Sequence, residues 1–486
     1  MSKRRKLATW SRRFESVTRE EVCDPCGACT NGKRCAPART SEIRDYSGIR
    51  LTADGFDCAL PVTIDSHSHC SYECAYCFSE NLAGHVDARS KGLGQMRLNV
   101  IDRIWGGAGG KYGEVIRKAL RFDLPNKAGF PCPVQLGGIN DPCDEYERQQ
   151  GWFLRFVDLA VKYNQPIRLS TKGRVLLLPE YQRAISKAPH LFWITFSIIT
   201  PDDELIEKVD RKAPNATQRL EVMAAMSKLG CKTALRFRPM MPGLSDKTPR
   251  YPRAYETLID KAAEAGATAV SFETVFVPTR FNAEQRKRWD KMETVIGVPL
   301  KSVYKRLMYK HQACLRPSYK WTENIMHAVH EVTKRNGMTA GVSDPTWKQL
   351  SDTGCCCGML PEDPVFGNWE VENATNALLR AKADPTLVLR KEDIIPRWAP
   401  DLLQAAMTNM GAGPTTAYAK RHMTWADKLT NIWNDLTSDR GPLSYFQGAL
   451  EPVELPDGEV GYRYRGLERQ NKRPPYWHVM PPKGKP

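Results

Sequence analysis

The alternation of apolar and polar positions changes character twice along this chain. The first 57 residues are polar and basic and show no sustained helical or strand periodicity. From Leu60 to about Pro278, short β-branched or aromatic runs recur between longer stretches with helical spacing. The runs predict strands at Leu60–Ile64, Pro133–Leu136, Ile167–Thr171, Leu191–Ile198, Thr233–Phe237 and Ala269–Phe276. The intervals predict helices such as Gln150–Tyr163, Pro179–Lys187 and Ala216–Leu229, the last followed by Gly230, which suits a left-handed helix end. Repeated βα units imply a parallel sheet, because parallel neighbours need a crossover long enough to hold a helix. The expected fold class is therefore α/β, a partial parallel barrel of the (β/α)6 type, with its chemistry at the carboxyl ends of the strands.

Residues 300–360 read as helical, with a further strand candidate at Thr339–Val342 and a cysteine triplet, Cys355-Cys356-Cys357. Beyond Pro361 the pattern is helical in parts through Trp433 and closes in a Pro-rich tail. The expected organisation is a basic, cysteine-bearing arm (1–57), the barrel with trailing helices (58–361) and a mostly helical, basic C-terminal region (362–486). No internal repeat is evident.

Composition narrows the function. No stretch approaches the roughly 18 uninterrupted apolar residues of a membrane span, and the basic start lacks the apolar segment of an export signal. A soluble cytoplasmic protein without a membrane partner is expected. Lys and Arg number 71 against 55 Asp and Glu, a net charge of +16, which favours polyanionic partners. Fifteen cysteines in a chain expected to stay in a reducing compartment point to metal or iron–sulfur ligation before disulfides.

The first predicted strand leads directly into His67-Ser68-His69-Cys70-Ser71-Tyr72-Glu73-Cys74-Ala75-Tyr76-Cys77-Phe78, with cysteines spaced C-x3-C-x2-C. Three thiolates can hold three irons of a cubane and leave the fourth open to a small chelating molecule. A zinc knuckle completed by His67 or His69 is the competing use of the same donors. The spacing, the strand before it and the aromatic Tyr76 just before the last cysteine resemble the radical S-adenosylmethionine (SAM) superfamily. That resemblance implies a [4Fe-4S] cluster on Cys70, Cys74 and Cys77 whose open iron binds SAM. One-electron reduction would then yield a 5′-deoxyadenosyl radical, which requires a reductant such as flavodoxin or ferredoxin.

Further stretches resemble the spore photoproduct lyase-like branch of that superfamily: Gln135–Asp141, Leu169–Gly173, Thr195–Ile198, Arg211–Pro214 and Arg238–Asp246. By this resemblance Gly137 and Gly138 approach the SAM amino group, Lys172 faces its carboxylate, and Ser197 and Tyr76 belong to the same site. Glycine permits such close approach and lysine supplies a point charge.

The lyase's hydrogen-returning cysteine, which precedes a Thr-Ser-Asp stretch, has no counterpart at Gly138-Ile139-Asn140-Asp141. Cys143 and Cys132 are the substitutes in reach, each equally readable as a buried thiol, and Asp141 is a candidate to face substrate or cofactor. An isomerase that takes its hydrogen back from 5′-deoxyadenosine needs no such thiol. The sequence therefore favours rearrangement of a modified thymine in DNA, in a bacterial or phage-infected cell. Lesion repair and a non-catalytic zinc-stapled nucleic-acid-binding protein are the alternatives.

Cys23, Cys26, Cys29 and Cys35 form a second ligand set, with turns supplied by Pro25, Gly27 and Gly32. Its spacing favours an auxiliary iron–sulfur cluster, with zinc as the alternative. The triplet at 355–357 could place one thiol in a cluster only through an irregular turn. Six basic residues lie within Lys3–Arg13, and seven accompany aromatics within Gly461–Pro486. Both ends suit phosphates and exposed bases. The glycine-rich segment at 106–112 reads as a loop, since Tyr112 stands where a phosphate loop needs Ser or Thr. The acids of Asp141–Glu147 read as the charged start of a helix.

Overall fold

A computed structural model describes residues 43–51, 57–77, 79, 93–278, 283–299, 305–309, 312–367, 373–395, 424–436, 441–446 and 448–466. Its centre is an eight-stranded sheet: β1 (Ile49–Leu51), β2 (Val62–Ile64), β3 (Val134–Leu136), β4 (Ile167–Thr171), β5 (Phe192–Ser197), β6 (Lys232–Met240), β7 (Ala269–Thr274) and β8 (Thr339–Val342). The strands lie side by side in chain order. β2 to β8 are parallel, and β1 pairs antiparallel with β2.

Six of the parallel strands fall on the runs seen in the sequence, and the seventh, β8, is the Thr339–Val342 candidate. β1 was not expected, because three residues are too few to show a period. The sheet thus reaches into the segment assigned to the N-terminal arm. Two predicted helices keep their starts, at Pro179–Ile185 and Ala216–Lys228, and the third runs Trp152–Lys162. Gly230 follows with φ +100°, and a capping box of Asn215 and Gln218 opens the helix before it. The segment at 106–112 is only partly a loop: a helix begins at Gly110, and Tyr112 Oη donates to the Ile49 carbonyl at 3.0 Å.

The two faces of the sheet differ in chemistry. Ile64, Leu136, Leu169, Ile194, Leu235 and Val270 share the outer face and have no solvent exposure. Helices cover that face, and each such side chain stabilises the fold by about 1.5–3 kcal/mol. The opposite face presents Gln135, Arg168, Thr195, Arg236 and Ser271 at alternating positions, making a polar lumen.

The described C-terminal region holds the helices Ala374–Ala383 and Trp425–Asn434, and adds a small sheet that the sequence did not predict. Val388–Leu389, Val460–Tyr464 and Leu450–Glu454 form a three-stranded antiparallel sheet. The region also shares one apolar core with the barrel. Asp57 joins the two: it accepts from Thr375 N at 2.9 Å and Tyr445 Oη at 2.8 Å, and pairs with Lys348 Nζ at 2.6 Å. Both charged side chains are almost wholly buried, 2% exposed for Lys348 and 4% for Asp57. Asp57→Ala should therefore lower stability by about 3 kcal/mol, as a shift of the urea midpoint. Separate transitions for barrel and C-terminal region in the wild type would refute their joint packing.

Candidate active site

The cysteine loop begins just past the carboxyl end of β2. An isolated antiparallel bridge joins Cys74 to Asp210, and Ala75 N donates to the Val209 carbonyl at 2.9 Å. Val209 ends the helix Asp203–Val209, whose N-cap is Asp202. Glu73 forms ion pairs with Arg211, at 3.1 Å, and with Lys212. Cys70, Cys74 and Cys77 pack together around Tyr72 and Ala213 in a small cluster separate from the main core. Ser71 N donates to Asp144 Oδ2 at 2.6 Å, anchoring the loop to the N-cap of the helix Glu145–Gln150. The acids of 141–147 thus include a helix cap.

Lys172, just past the end of β4, is the hub. Its Nζ donates to Cys74 Sγ at 2.9 Å, Tyr76 Oη at 2.9 Å and Asp210 Oδ2 at 3.0 Å. Arg219 pairs with the same carboxylate oxygen at 2.7 Å, and neither Asp210 nor Arg219 has any side-chain exposure. Burial opposes the charge on Asp210, but Lys172 and Arg219 outweigh it and hold the carboxyl far below its usual range. Burial likewise opposes the Lys172 cation, and Asp210, Cys74 and Tyr76 raise it well above the ordinary lysine range. The result is a cation fixed against a cysteine sulfur, which favours the thiolate form that metal ligation needs. Without a metal, burial and then Asp210 outweigh that pull and hold the Cys74 thiol above its usual range.

The three thiols suit a cluster, and zinc on the same thiols would need a fourth ligand. A cubane instead binds each thiolate on a different iron. The histidines do not complete a zinc site. His67 Nδ1 and Nε2 meet Ser66 Oγ (2.9 Å) and Gln95 Nε2 (3.2 Å), and burial, then His69, lower its pKa to about 4. His69 meets Ser68 Oγ at 3.1 Å and Tyr146 Oη at 3.3 Å.

The other expected site residues divide. Gly137 and Gly138 lie at the carboxyl end of β3, near the loop, and the protein itself crowds them. A Cβ on Gly137, where φ is +83°, would stand 2.8 Å from Pro142 Cδ and 2.9 Å from the Ser170 carbonyl. Gly138 N and Ile139 N donate to Asp65 Oδ1 at 2.7 and 2.8 Å, and Arg50 neutralises that buried carboxylate. Ser197 ends β5, where its carbonyl accepts from Arg219 at 2.7 Å.

Asp141 is a brace: its carboxylate accepts from Cys143 N (2.9 Å), Thr171 Oγ1 (2.7 Å) and Lys172 N (2.6 Å). It fixes the backbone beneath Lys172 and leaves little capacity for a substrate. Cys143 has no exposure and belongs to the apolar core. Cys132 precedes the amino end of β3, the opposite edge of the sheet from Cys74, and is 3% exposed. Cys132 thus lies away from the cysteine loop, whereas Cys143 borders it, its carbonyl accepting from Tyr72 Oη at 3.5 Å while its thiol is buried. Cys23, Cys26, Cys29 and Cys35 lie outside the described residues. Asp210, Arg219 and Asp65 were not singled out in the sequence. Their signal was weak, because single charged residues carry no period, whether in a loop or, as for Arg219, on a helix.

The structure thus defines a partial α/β barrel with a three-cysteine loop at the carboxyl edge of its sheet. No family model and no curated protein matches the chain. Its fold is similar to that of spore photoproduct lyase. A cysteine-to-serine variant of that enzyme aligns at 12% identity over 61% of this chain and 79% of that one, with a TM-score of 0.44. The lyase complexed with dinucleoside spore photoproduct aligns at 13% identity over 59% and 78%, with a TM-score of 0.43. SuiB of Streptococcus suis bound to S-adenosylmethionine aligns at 11% identity over 49% and 48%, with a TM-score of 0.31. These are likenesses of fold alone.

Asp210→Asn should strand Lys172 and Arg219 as buried cations and lower stability by about 3–5 kcal/mol. Asp158→Asn, which breaks an exposed pair with Lys187, should change it by about 0.5 kcal/mol or less. Equal urea midpoints for the two variants would show that Asp210 does not place the loop.

Proposed function

We propose that the protein is a radical SAM enzyme acting on a thymine-derived base in DNA, with rearrangement of a modified thymine as the favoured reaction. The observation that carries the reading is the C-x3-C-x2-C loop at the carboxyl edge of a parallel sheet, with Lys172 against Cys74. Cys70, Cys74 and Cys77 would hold a [4Fe-4S] cluster. When bound and reduced, cluster and SAM together supply a 5′-deoxyadenosyl radical that abstracts a hydrogen atom.

The chain's own residues do the positioning. Asp210 and Arg219 fix Lys172, and Lys172 and the bridge to Asp210 fix the cysteine loop. Asp141 and Asp65 fix the backbone at the ends of β4 and β3, where Gly137, Gly138 and Ser197 would border SAM. The polar lumen would receive the base, which must leave the duplex stack to enter. The basic segments at the two ends of the chain would grip flanking phosphates. A one-electron donor such as flavodoxin or ferredoxin would supply the electron. The cysteines at 23–35 would carry a second iron–sulfur cluster or zinc.

The burial of Cys143 and the remote place of Cys132 support isomerisation over lesion repair, because a thiol without exposure is poorly placed to return a hydrogen atom to a substrate. One observation favours repair as the second reading: Cys356 is partly exposed and lies in the lumen beside Arg238.

Anaerobic reconstitution with iron and sulfide, followed by reduction with SAM, should yield 5′-deoxyadenosine, and Cys74→Ala should abolish it. A colourless protein loaded with zinc at these cysteines would overturn the reading in favour of a zinc-stapled binding protein. Products exceeding the SAM consumed mark the isomerase, and one SAM per product marks another quenching step. Affinity for DNA should fall linearly on a log–log plot against salt, and a flat plot would remove the basic ends from binding.

A further inference from the structure

Three arginines converge inside the lumen. Arg168 projects from β4, and Arg236 and Arg238 from β6, all on the polar face of the sheet. Two of them have work in the fold. Arg168 Nε donates to Cys357 Sγ at 3.1 Å, and its guanidinium also reaches Ser170 Oγ at 2.5 Å. Arg238 holds Ser271 Oγ (3.0 Å from Nε) and the Cys356 carbonyl (3.1 Å), with Glu273 at 3.8 Å. These contacts seat the 355–357 segment across the lumen, and a Cβ on Gly341 would stand 2.7 Å from the Cys356 carbonyl oxygen.

Arg236 is different. It lies between Ser197 and Ser271 in the sheet register, its carbonyl accepts from Ile198 N at 3.2 Å, and its partly buried side chain makes no hydrogen bond or ion pair with any described residue. Burial, followed by the charges of Arg238 and Arg168, lowers its pKa to about 9, so it stays protonated at neutral pH. The Cys356 thiol does not neutralise the group: its hydrogen bond with Cys357, and burial, push it up to about 12. Among the described residues three cations therefore face one carboxylate, Glu273, and the partly exposed Arg236 guanidinium offers five donors that no described side chain accepts. Leaving such donors unsatisfied is costly unless a ligand or water meets them.

We propose that Arg236, flanked by Arg168 and Arg238, forms an oxyanion site in the lumen that takes a phosphate or carboxylate carried by the substrate. Guanidinium groups bind both anions through paired N–H donors. The source is either a phosphodiester of the nucleic acid or an anionic substituent on the modified base. That the anion belongs to a substrate rests on the radical reading. The anion affinity itself does not.

The test is titration calorimetry on the full reconstituted chain without SAM, using dimethyl phosphate, methyl phosphate and acetate as separate probes. Saturable binding of at least one probe is expected, weakened at least tenfold in Arg236→Gln. Preference for dimethyl phosphate indicates a backbone diester, and preference for methyl phosphate or acetate an anionic substituent. No binding of any probe by the wild type, or equal binding by Arg236→Gln, overturns the proposal. The ligand-free melting temperature is the second readout. Arg236→Gln removes like-charge crowding, so it should hold or raise that temperature, and a clear fall would mark Arg236 as structural and also overturn it. Since no SAM cleavage is measured, failure here is distinguishable from failure of the radical chemistry.

Discussion

Asp210 is a carboxylate without solvent access, and the placement of the cysteine loop depends on it. Removing a carboxylate from water is expensive, and the expense is met only because Lys172 and Arg219 share the same oxygen. Its backbone carries the bridge to Cys74, and its side chain fixes the lysine that touches Cys74 Sγ. One residue thus ties three places distant in sequence: the loop after β2, the end of β4, and the start of the helix that contains Arg219. A buried ion group of this kind is weak as a source of net stability. It is strong as a positioning device, because any displacement exposes an unpaired charge to an apolar surrounding.

The same logic recurs around the sheet. Asp65 caps the turn at Gly138 and is neutralised by Arg50 from β1, a strand that exists only because it completes the edge of the sheet. Asp141 draws the loop after β3 onto the end of β4. Asp57 joins the C-terminal region to the barrel through Lys348, Thr375 and Tyr445. In each case a buried carboxylate is satisfied by several donors, and each pairing joins elements that helices and strands alone would leave free to slide.

The alternation of the strands then gives the barrel its two characters. Outer positions are aliphatic or aromatic and pack against helices. Inner positions include Gln135, Thr195, Ser271 and the arginines Arg168 and Arg236, beside Trp193 and Ala234. A lumen lined this way is a place for a polar ligand and not a packed core. The segment at 355–357 crosses it and presents thiols and a backbone carbonyl to Arg168 and Arg238. Positive charge concentrated there agrees with the net positive charge of the chain and with a polyanion as partner.

The strands from β2 to β8 and helices such as Pro179–Ile185 and Ala216–Lys228 were legible in the sequence because burial on a sheet face or one helical stripe leaves a local pattern, whereas Lys305–Tyr309 and Gln312–Arg316, in a stretch read as helical, pair as antiparallel strands. The cysteine loop was legible because ligation fixes spacing within a few residues. The antiparallel edge strand, the small C-terminal sheet and the braces at Asp65, Asp141 and Asp210 were not, since each is defined by partners far away in the chain. By itself, the sequence determined the layered α/β architecture and the chemistry of its donors. Only the tertiary structure decided which candidates meet: it set Lys172 against Cys74, buried Cys143 in the core, put Cys132 at the wrong edge and gathered three arginines in the lumen. The physical reason is that hydrophobic period is a local property, whereas the pairing of buried charges is set by the way the sheet closes.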